Sequence, residues 1–384
     1  MLKAHFRRVL ESDPGRLHFA AHSHHPWPDV TFDAHARAWH DAARLLDDKW
    51  DAVFGEVVPE AQRHVAAELR LPDPSSLVFA PNTHEFVLRL LSVLPERPRV
   101  VTTDAEFHSF ERQARRLEED GLAAVERVPA EPFATFPARF VDAVRRARPQ
   151  LVFFSHVFFN SGFVVPDLAG LVAALPEDTL VCVDGYHGFC GVETDLSAVA
   201  ARSFYLAGGY KYAMAGEGAC FLHVPPSATA LRPRNTGWFA AFGALGERQA
   251  GRVPYASGGA HFLGATFDPS GLYRLNAVMR WRREVGLSTA SARVHAAGLQ
   301  RRFLGGLSGT TLAREPLVVD DEARRGRFLT FRTPRARALS EALKAARVIT
   351  DARDDRLRFG FGPYQDDGDV HAALERLARL PQGA

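Results

Sequence analysis

The segment Phe204 to Val224, FYLAGGYKYAMAGEGACFLHV, sets one lysine, Lys211, between Tyr210 and Tyr212 in a glycine-rich centre flanked by two apolar runs. Upstream, Asp184 ends another apolar run in TLVCVDGYH. Aspartate and lysine are costly in an interior unless they are paired or functional. One reading is a plain structural ion pair. The other is a pyridoxal 5'-phosphate site. That cofactor is an aldehyde, which a lysine amine can hold as an imine. Its pyridine nitrogen needs a carboxylate to stay protonated, and its phosphate needs backbone N–H groups, best supplied at a helix N-terminus. Asn82 and Thr83, in FAPNTHEF, stand between a strand-like and a helix-like run and offer such a place, although both are also ordinary N-caps.

The surrounding elements must bring these groups to one edge. Short apolar runs at 76–80, 99–103, 151–157 and 179–185 alternate with helix-like segments such as HEFVLRLLSVL, SFERQARRLEEDG and ARFVDAVRRARP. This βα alternation predicts a mainly parallel sheet covered by helices on both faces. Ligands of such sheets bind beyond the carboxyl ends of the strands, where PNTH, NSG and VDGYH lie. From about residue 270 the texture changes: a long helix, GLYRLNAVMRWRREVG, leads into alternating helices and the strands RFLTFR, RVITD and RLRFGF. The expected division is an N-terminal segment 1–20, a large cofactor domain 21–270, and a small α+β domain 271–384 that includes the bridging helix.

VDGYH followed by FYLAGGYKYAMAGEG resembles the cofactor segment of the class V aminotransferase group of pyridoxal-phosphate enzymes, and most resembles kynureninases. The resemblance covers most of the chain. It implies an aspartate-aminotransferase-like α/β large domain with a small α+β C-terminal domain, and a homodimer with shared active sites. Within it, Lys211 matches the lysine that bonds the cofactor, Asp184 the pyridine-nitrogen partner, and His187 the group beside the ring hydroxyl. Tyr210, Asn82 and Thr83 match phosphate contacts, and Phe107 in TTDAEFHSFERQ the side chain stacked over the ring. Asn160 or Ser161, in SHVFFNSGFVVP, matches the strand end facing the ring hydroxyl. Thr266, in GAHFLGATFDP, matches a contact to the neighbouring subunit's phosphate. Arg358, in RLRFGFGPYQDDGDVHAALERL, matches an arginine that grips the substrate carboxylate in a two-point fork.

Two departures bear on substrate. Trp238 in NTGWF reproduces a kynureninase tryptophan, but Phe267 stands where kynureninases carry a substrate-reading asparagine. HFAAHSHHPWPD replaces a glycine-rich family opening, so His22, His24 and His25 are expected at the substrate mouth. No carboxylate or cysteine completes a metal set with them, and no metal is expected. The resemblance therefore implies kynureninase-like cleavage of a Cβ–Cγ bond, with transamination, elimination or epimerisation of another amino acid as alternatives and a non-catalytic binding protein as a third class.

Composition sets the outer bounds. The 384 residues are 46% hydrophobic, and 47 Lys+Arg stand against 45 Asp+Glu, a balance that calls for neither nucleic acid nor an anionic membrane. Cys182, Cys190 and Cys220 form no disulfide framework, so a cytoplasmic location is the expectation. All three lie in or near the cofactor strands, away from the small-domain loop where cysteine desulfurases need a nucleophile.

Overall fold

The computed structural model describes residues 2–244 and 251–381. Strand β1 (Leu17–His18) precedes the main sheet strands β2 (Leu77–Ala80), β3 (Arg99–Thr103), β4 (Ala124–Val128), β5 (Leu151–Ser155), β6 (Leu180–Asp184), β7 (Ser203–Gly208) and β8 (Cys220–His223). The small domain adds β9 (Phe328–Arg332), β10 (Val348–Ile349), β11 (Asp351–Arg353) and β12 (Arg356–Gly360). The main sheet has seven strands in the order β2-β8-β7-β6-β5-β3-β4. Strands β4, β3, β5, β6 and β7 run parallel, and β8 runs against both its neighbours. Helices Thr83–Ser92, His108–Glu119, Phe136–Ala147 and Leu168–Ala173 make the crossovers.

The continuous apolar runs have a direct cause. Side chains alternate across a strand, and here both faces of the sheet are covered. Val152 and Phe154 of β5 enter one core with Val181, Val183, Tyr205 and Phe221. Leu151 and Phe153 enter the opposite core with Cys182, Phe204, Leu206 and Leu222. A half-exposed sheet would instead have required polar residues at every second position.

The small domain packs the antiparallel sheet β11-β12-β9 against helices Thr289–Gly305, Ala336–Ala345 and Asp367–Ala378. Three details depart from the expected organisation. The segment RVITD divides: β10 pairs in parallel with β1, while β11 pairs with β12. The N-terminal segment is therefore no separate unit, since β1 joins the small domain and Phe19 lies in its core, whereas Phe6 lies in the large one. The helix expected to bridge, Ser270–Glu284, belongs with the large core, to which it gives Leu272, Leu275, Val278 and Trp281; it packs on helices Val30–Leu45 and Val58–Leu69. Among the described residues no helix is long and apolar enough to cross a membrane.

The topology fixes the site. Because β3, β5, β6 and β7 run parallel, Thr103, Ser155, Asp184 and Gly208 end on one edge of the sheet. The chain from Ala20 bridges to Gly360 of the small domain and carries His22 to the same edge.

Candidate active site

Lys211 lies in the turn between β7 and β8. The turn must fold tightly enough to hold a buried lysine. Gly216 and Gly218 take positive φ there (72° and 90°), a backbone region that costs glycine nothing. Lys211 is buried. Its Nζ is 2.9 Å from His187 Nε2 and lies among three rings, 5.3 Å from the centroid of Tyr186, 5.4 Å from Phe107 and 5.7 Å from Tyr210. Burial, and next the charge of Arg358, lower its pKa to about 7, against a smaller opposing pull from Asp184 and Asp351.

His187 has one donor-acceptor arrangement that satisfies its surroundings. Its Nε2 is also 3.1 Å from the carbonyl oxygen of His22, which can only accept. The Nε2–H tautomer follows. Burial, Lys211 and Arg358 push the ring's pKa well below its usual value, so His187 is neutral. With a neutral ring beside it, Lys211 meets no positive charge from His187, and a neutral amine there has the lone pair a nucleophile needs.

Asp184 ends β6, and its Oδ1 accepts from the backbone N–H of Tyr186 at 2.8 Å. Burial of the carboxyl raises its pKa to about 6, opposed by that N–H and by Lys211. A second buried acid, Glu106, lies close by. Thr103 Oγ1 donates to its Oε1 (2.6 Å), Ser155 Oγ donates to its Oε2 (2.6 Å), and the Ser155 N–H reaches Oε1 at 3.1 Å. Burial outweighs these donors and, with Asp184 adding repulsion, takes Glu106 up to about 8. Glu106 ties the ends of β3 and β5 together immediately before Phe107, whose ring meets Phe159 edge-on at 5.5 Å. Sequence reasoning passed over Glu106; its position next to the stacking candidate was the available signal.

Asn82 caps helix Thr83–Ser92, its side chain accepting from the Glu85 N–H at 3.1 Å, so the free N–H groups of the first turn face the strand ends. Tyr186 connects this turn to the lysine. Its hydroxyl is 3.4 Å from Cys220 Sγ, which also meets the backbone of Thr83, while its ring lies over Lys211 Nζ. An amine of lowered pKa, a carboxyl at the neighbouring strand end, an aromatic side chain and a capped helix N-terminus are the groups that pyridoxal phosphate requires, and here they meet at one strand edge.

Arg358 comes to this edge from β12. It is buried, and donates to Asp351 Oδ2 and to the carbonyl of Phe159. Ser161 is buried and turned into its own loop, its Oγ accepting from the Phe163 N–H at 3.2 Å, whereas Asn160 is partly exposed. His22 is wholly buried, stacked on Phe328 at 4.5 Å, with Nε2 3.7 Å from Asp351 Oδ2. It stands beside Arg358, deeper than a mouth residue. His24 is exposed, 5.8 Å from the Tyr210 ring, and with His25 and Trp27 lines a cavity of about 610 Å³. Trp238, Thr266 and Phe267 do not join the Lys211 cluster. Trp238 Nε1 donates to Thr266 Oγ1 at 3.1 Å, and Thr266 and Phe267 line a separate cavity with Trp39 and Trp50. The three cysteines are free and buried, and burial raises the thiols of Cys190 and Cys220 to about 12.

Residues 39–343 match the aminotransferase class-V family, and residues 310–377, which include Arg358, match the kynureninase C-terminal domain. Among curated proteins, the chain is 29% identical over 251 residues to isopenicillin N epimerase of Amycolatopsis lactamdurans, covering 61% of either chain. It is 30% identical over 237 residues to isopenicillin N epimerase of Streptomyces clavuligerus (59% of this chain, 58% of that one). It is 29% identical over 242 residues to kynureninase of Pseudomonas fluorescens (60% and 56%). The match thus spans 56% to 61% of the length of these relatives. Among solved structures, an apo cysteine desulfurase from Thermococcus onnurineus NA1 superposes with TM-score 0.82 at 15% identity, covering 100% of this chain and 99% of that one. The cystine C–S lyase C-DES in complex with its product cysteine persulfide superposes with TM-score 0.80 at 18% identity (95% and 98%). At these identities the structural likeness speaks for the fold.

Proposed function

The chain belongs to the class V aminotransferase family, whose cofactor is pyridoxal phosphate, and on that premise we propose that it is an enzyme acting on an amino acid by kynureninase-like hydrolysis of the Cβ–Cγ bond. The observation that carries the reading is the Lys211 amine, buried among three aromatic rings against a neutral His187, with Asp184 and Arg358 at the same strand edge. The match of residues 310–377 to the kynureninase C-terminal domain supports the choice of reaction.

Bound pyridoxal phosphate supplies an aldehyde for the lysine amine and a protonated ring that draws electrons from the substrate's α-carbon. The chain's own residues do the rest. Lys211 would hold the cofactor, and its amine, neutral in about half of the molecules at pH 7, would take the proton from the substrate's α-carbon. Asp184 holds the proton on the ring nitrogen. Asn82, Thr83 and Tyr210 would hold the phosphate, the first two through the first turn of their helix, and Phe107, whose ring lies near Lys211 Nζ, would cover the cofactor ring. Asn160, or Ser161 through the hydroxyl hydrogen that its Oγ still has to give, is assigned to the ring hydroxyl with His187. Arg358 grips the substrate carboxylate and so orients the bond that breaks. Water then adds to the side-chain ketone, the Cβ–Cγ bond opens, and alanine and a carboxylic acid leave.

Trp238, Thr266 and Phe267 are assigned to the site of a neighbouring copy. They stand apart from Lys211 in their own chain, and Trp238 is 41% exposed. Sedimentation should therefore give a dimer.

A second reading is epimerisation at the α-carbon. The similarity to two isopenicillin N epimerases favours it, as does Phe267 at the position where kynureninases carry a polar reader. One experiment separates the two. Cofactor-loaded enzyme is mixed with L-kynurenine in D2O and the products are identified by mass spectrometry. Anthranilate plus alanine establishes hydrolysis. Intact kynurenine, with or without deuterium at the α-carbon, refutes it; a panel of other amino acids that exchange the α-proton and invert would establish epimerisation.

A further inference from the structure

The arginine read above as the clamp for a substrate carboxylate already holds a carboxylate of this chain. In the β11–β12 hairpin Asp351 lies directly opposite Arg358, so both side chains leave the same face of the sheet. Arg358 Nη2 donates to Asp351 Oδ2, and both residues are more than nine-tenths buried. The guanidinium does not depend on Asp351 alone for its position. Its Nη1 donates to the carbonyl of Phe159, and it lies 5.7 Å and 5.9 Å from the ring centroids of Phe159 and Phe328. Asp351, in turn, already holds a second partner and has a third close by. Its Oδ1 is 2.9 Å from Nη1 of Arg353, a side chain 44% exposed, and its Oδ2 is 3.7 Å from Nε2 of His22, whose two ring nitrogens have no other hydrogen-bond partner among the described residues.

We propose that Asp351 is an internal stand-in for the substrate carboxylate: its Oδ2 holds Arg358 until a substrate carboxylate takes the guanidinium, and Asp351 then keeps Arg353 on Oδ1 and turns Oδ2 to His22. A buried guanidinium without a counter-charge is costly, and Asp351 supplies one to Arg358. An intramolecular partner acts at high effective concentration, so any external carboxylate must compete with it. Asp351 thus weakens ground-state binding and sets the substrate concentration the enzyme needs, without touching the reacting atoms. The inference rests on the reading of Arg358 as the carboxylate clamp.

The test uses cofactor-loaded enzyme and propionate, which carries the carboxylate but no amine to react, with binding followed by isothermal titration calorimetry. Asp351→Asn keeps a hydrogen-bond acceptor and removes the competing charge; propionate should bind at least about tenfold tighter than to wild type. Arg353→Gln removes the partner that Asp351 keeps when it releases Arg358; propionate should bind severalfold weaker. If Asp351 merely props up Arg358, both variants bind propionate more weakly or unchanged, and either result for Asp351→Asn overturns the proposal. Should Asp351→Asn fail to fold, Asp351→Ser, which also removes the charge, carries the same expectation of tighter binding, and weaker or unchanged binding in it overturns the proposal. Arg358→Gln should abolish binding. Propionate bound equally by Arg358→Gln would refute the clamp itself, a failure distinguishable from that of Asp351.

Discussion

Cofactor-free enzyme should capture pyridoxal phosphate near pH 7 through a lysine that is already half neutral. The pKa of Lys211 lies at about 7, against 10.5 for an ordinary lysine. At pH 7 half of its amines can attack an aldehyde, compared with about one in three thousand for a solvated side chain. The cause is first burial and then Arg358, so two perturbations bear on it. Capture is followed from pH 5.5 to 10 by quenching with borohydride at short intervals and quantifying the labelled Lys211 peptide by mass spectrometry. The rate should rise to a midpoint near 7 and level off above pH 8. Arg358→Gln removes the second cause and should move the midpoint up, towards that of a surface lysine labelled in the same digest. A rate that keeps climbing tenfold per pH unit through pH 9 in the wild type would mean that the amine is solvated, and the aromatic enclosure would then explain nothing.

Asp184→Asn should still bind the cofactor but lower turnover by about a hundredfold or more, because an amide cannot hold the ring-nitrogen proton; spectral titration of the bound cofactor separates binding from turnover. Glu106 has a folded-state pKa of about 8 against an ordinary 4.5. The folded chain therefore binds more protons than the unfolded one, and the contribution of Glu106 is fully present below pH 4.5 and is lost as pH rises towards 8. Urea midpoints of the cofactor-free protein should show Glu106→Gln gaining on wild type by about 1.4 kcal/mol per pH unit across that window; parallel curves would contradict the burial of this acid. Phe107→Ala should weaken pyridoxal phosphate binding about threefold to tenfold, the worth of one aromatic stacking contact, measured by fluorescence quenching. Gly208→Ala would drive a methyl group into the Tyr186 hydroxyl and Cys220 sulfur; a loss of about 1–3 kcal/mol in urea unfolding is expected, together with weaker cofactor binding as Tyr186 leaves Lys211.

The parts of this protein that were legible in its sequence are those in which one residue's environment is dictated by its own element. Runs such as LVFFS and LVCVD can only be strands buried on both faces, and the parallel order of β3, β5, β6 and β7 then forces their last residues onto one edge. That is why Asp184 and Lys211 stood out as chemistry without coordinates, whereas His187 was set beside them only by the family resemblance. Helices Val30–Leu45 and Val58–Leu69, which pack against Ser270–Glu284, went unread although the second carries a stripe of its own in Ala61, Val65 and Leu69.

Pairings made by register are harder to read. That Arg358 meets Asp351 depends on where the hairpin turns, and in DARDDRLR the turn could fall at any of three acidic residues. With the turn at Asp354, whose φ is +48°, Asp351 faces Arg358; a shift of one residue would put the two side chains on opposite faces. His22 was legible as a site residue but not in its role, because its place beside Arg358 is set by the bridge of Ala20 to Gly360, a contact 340 residues apart in sequence. Chemistry that depends on residue type at a strand end can therefore be read from sequence, while the counter-charges that tune it are set by tertiary register. Those counter-charges decide how tightly a carboxylate is held.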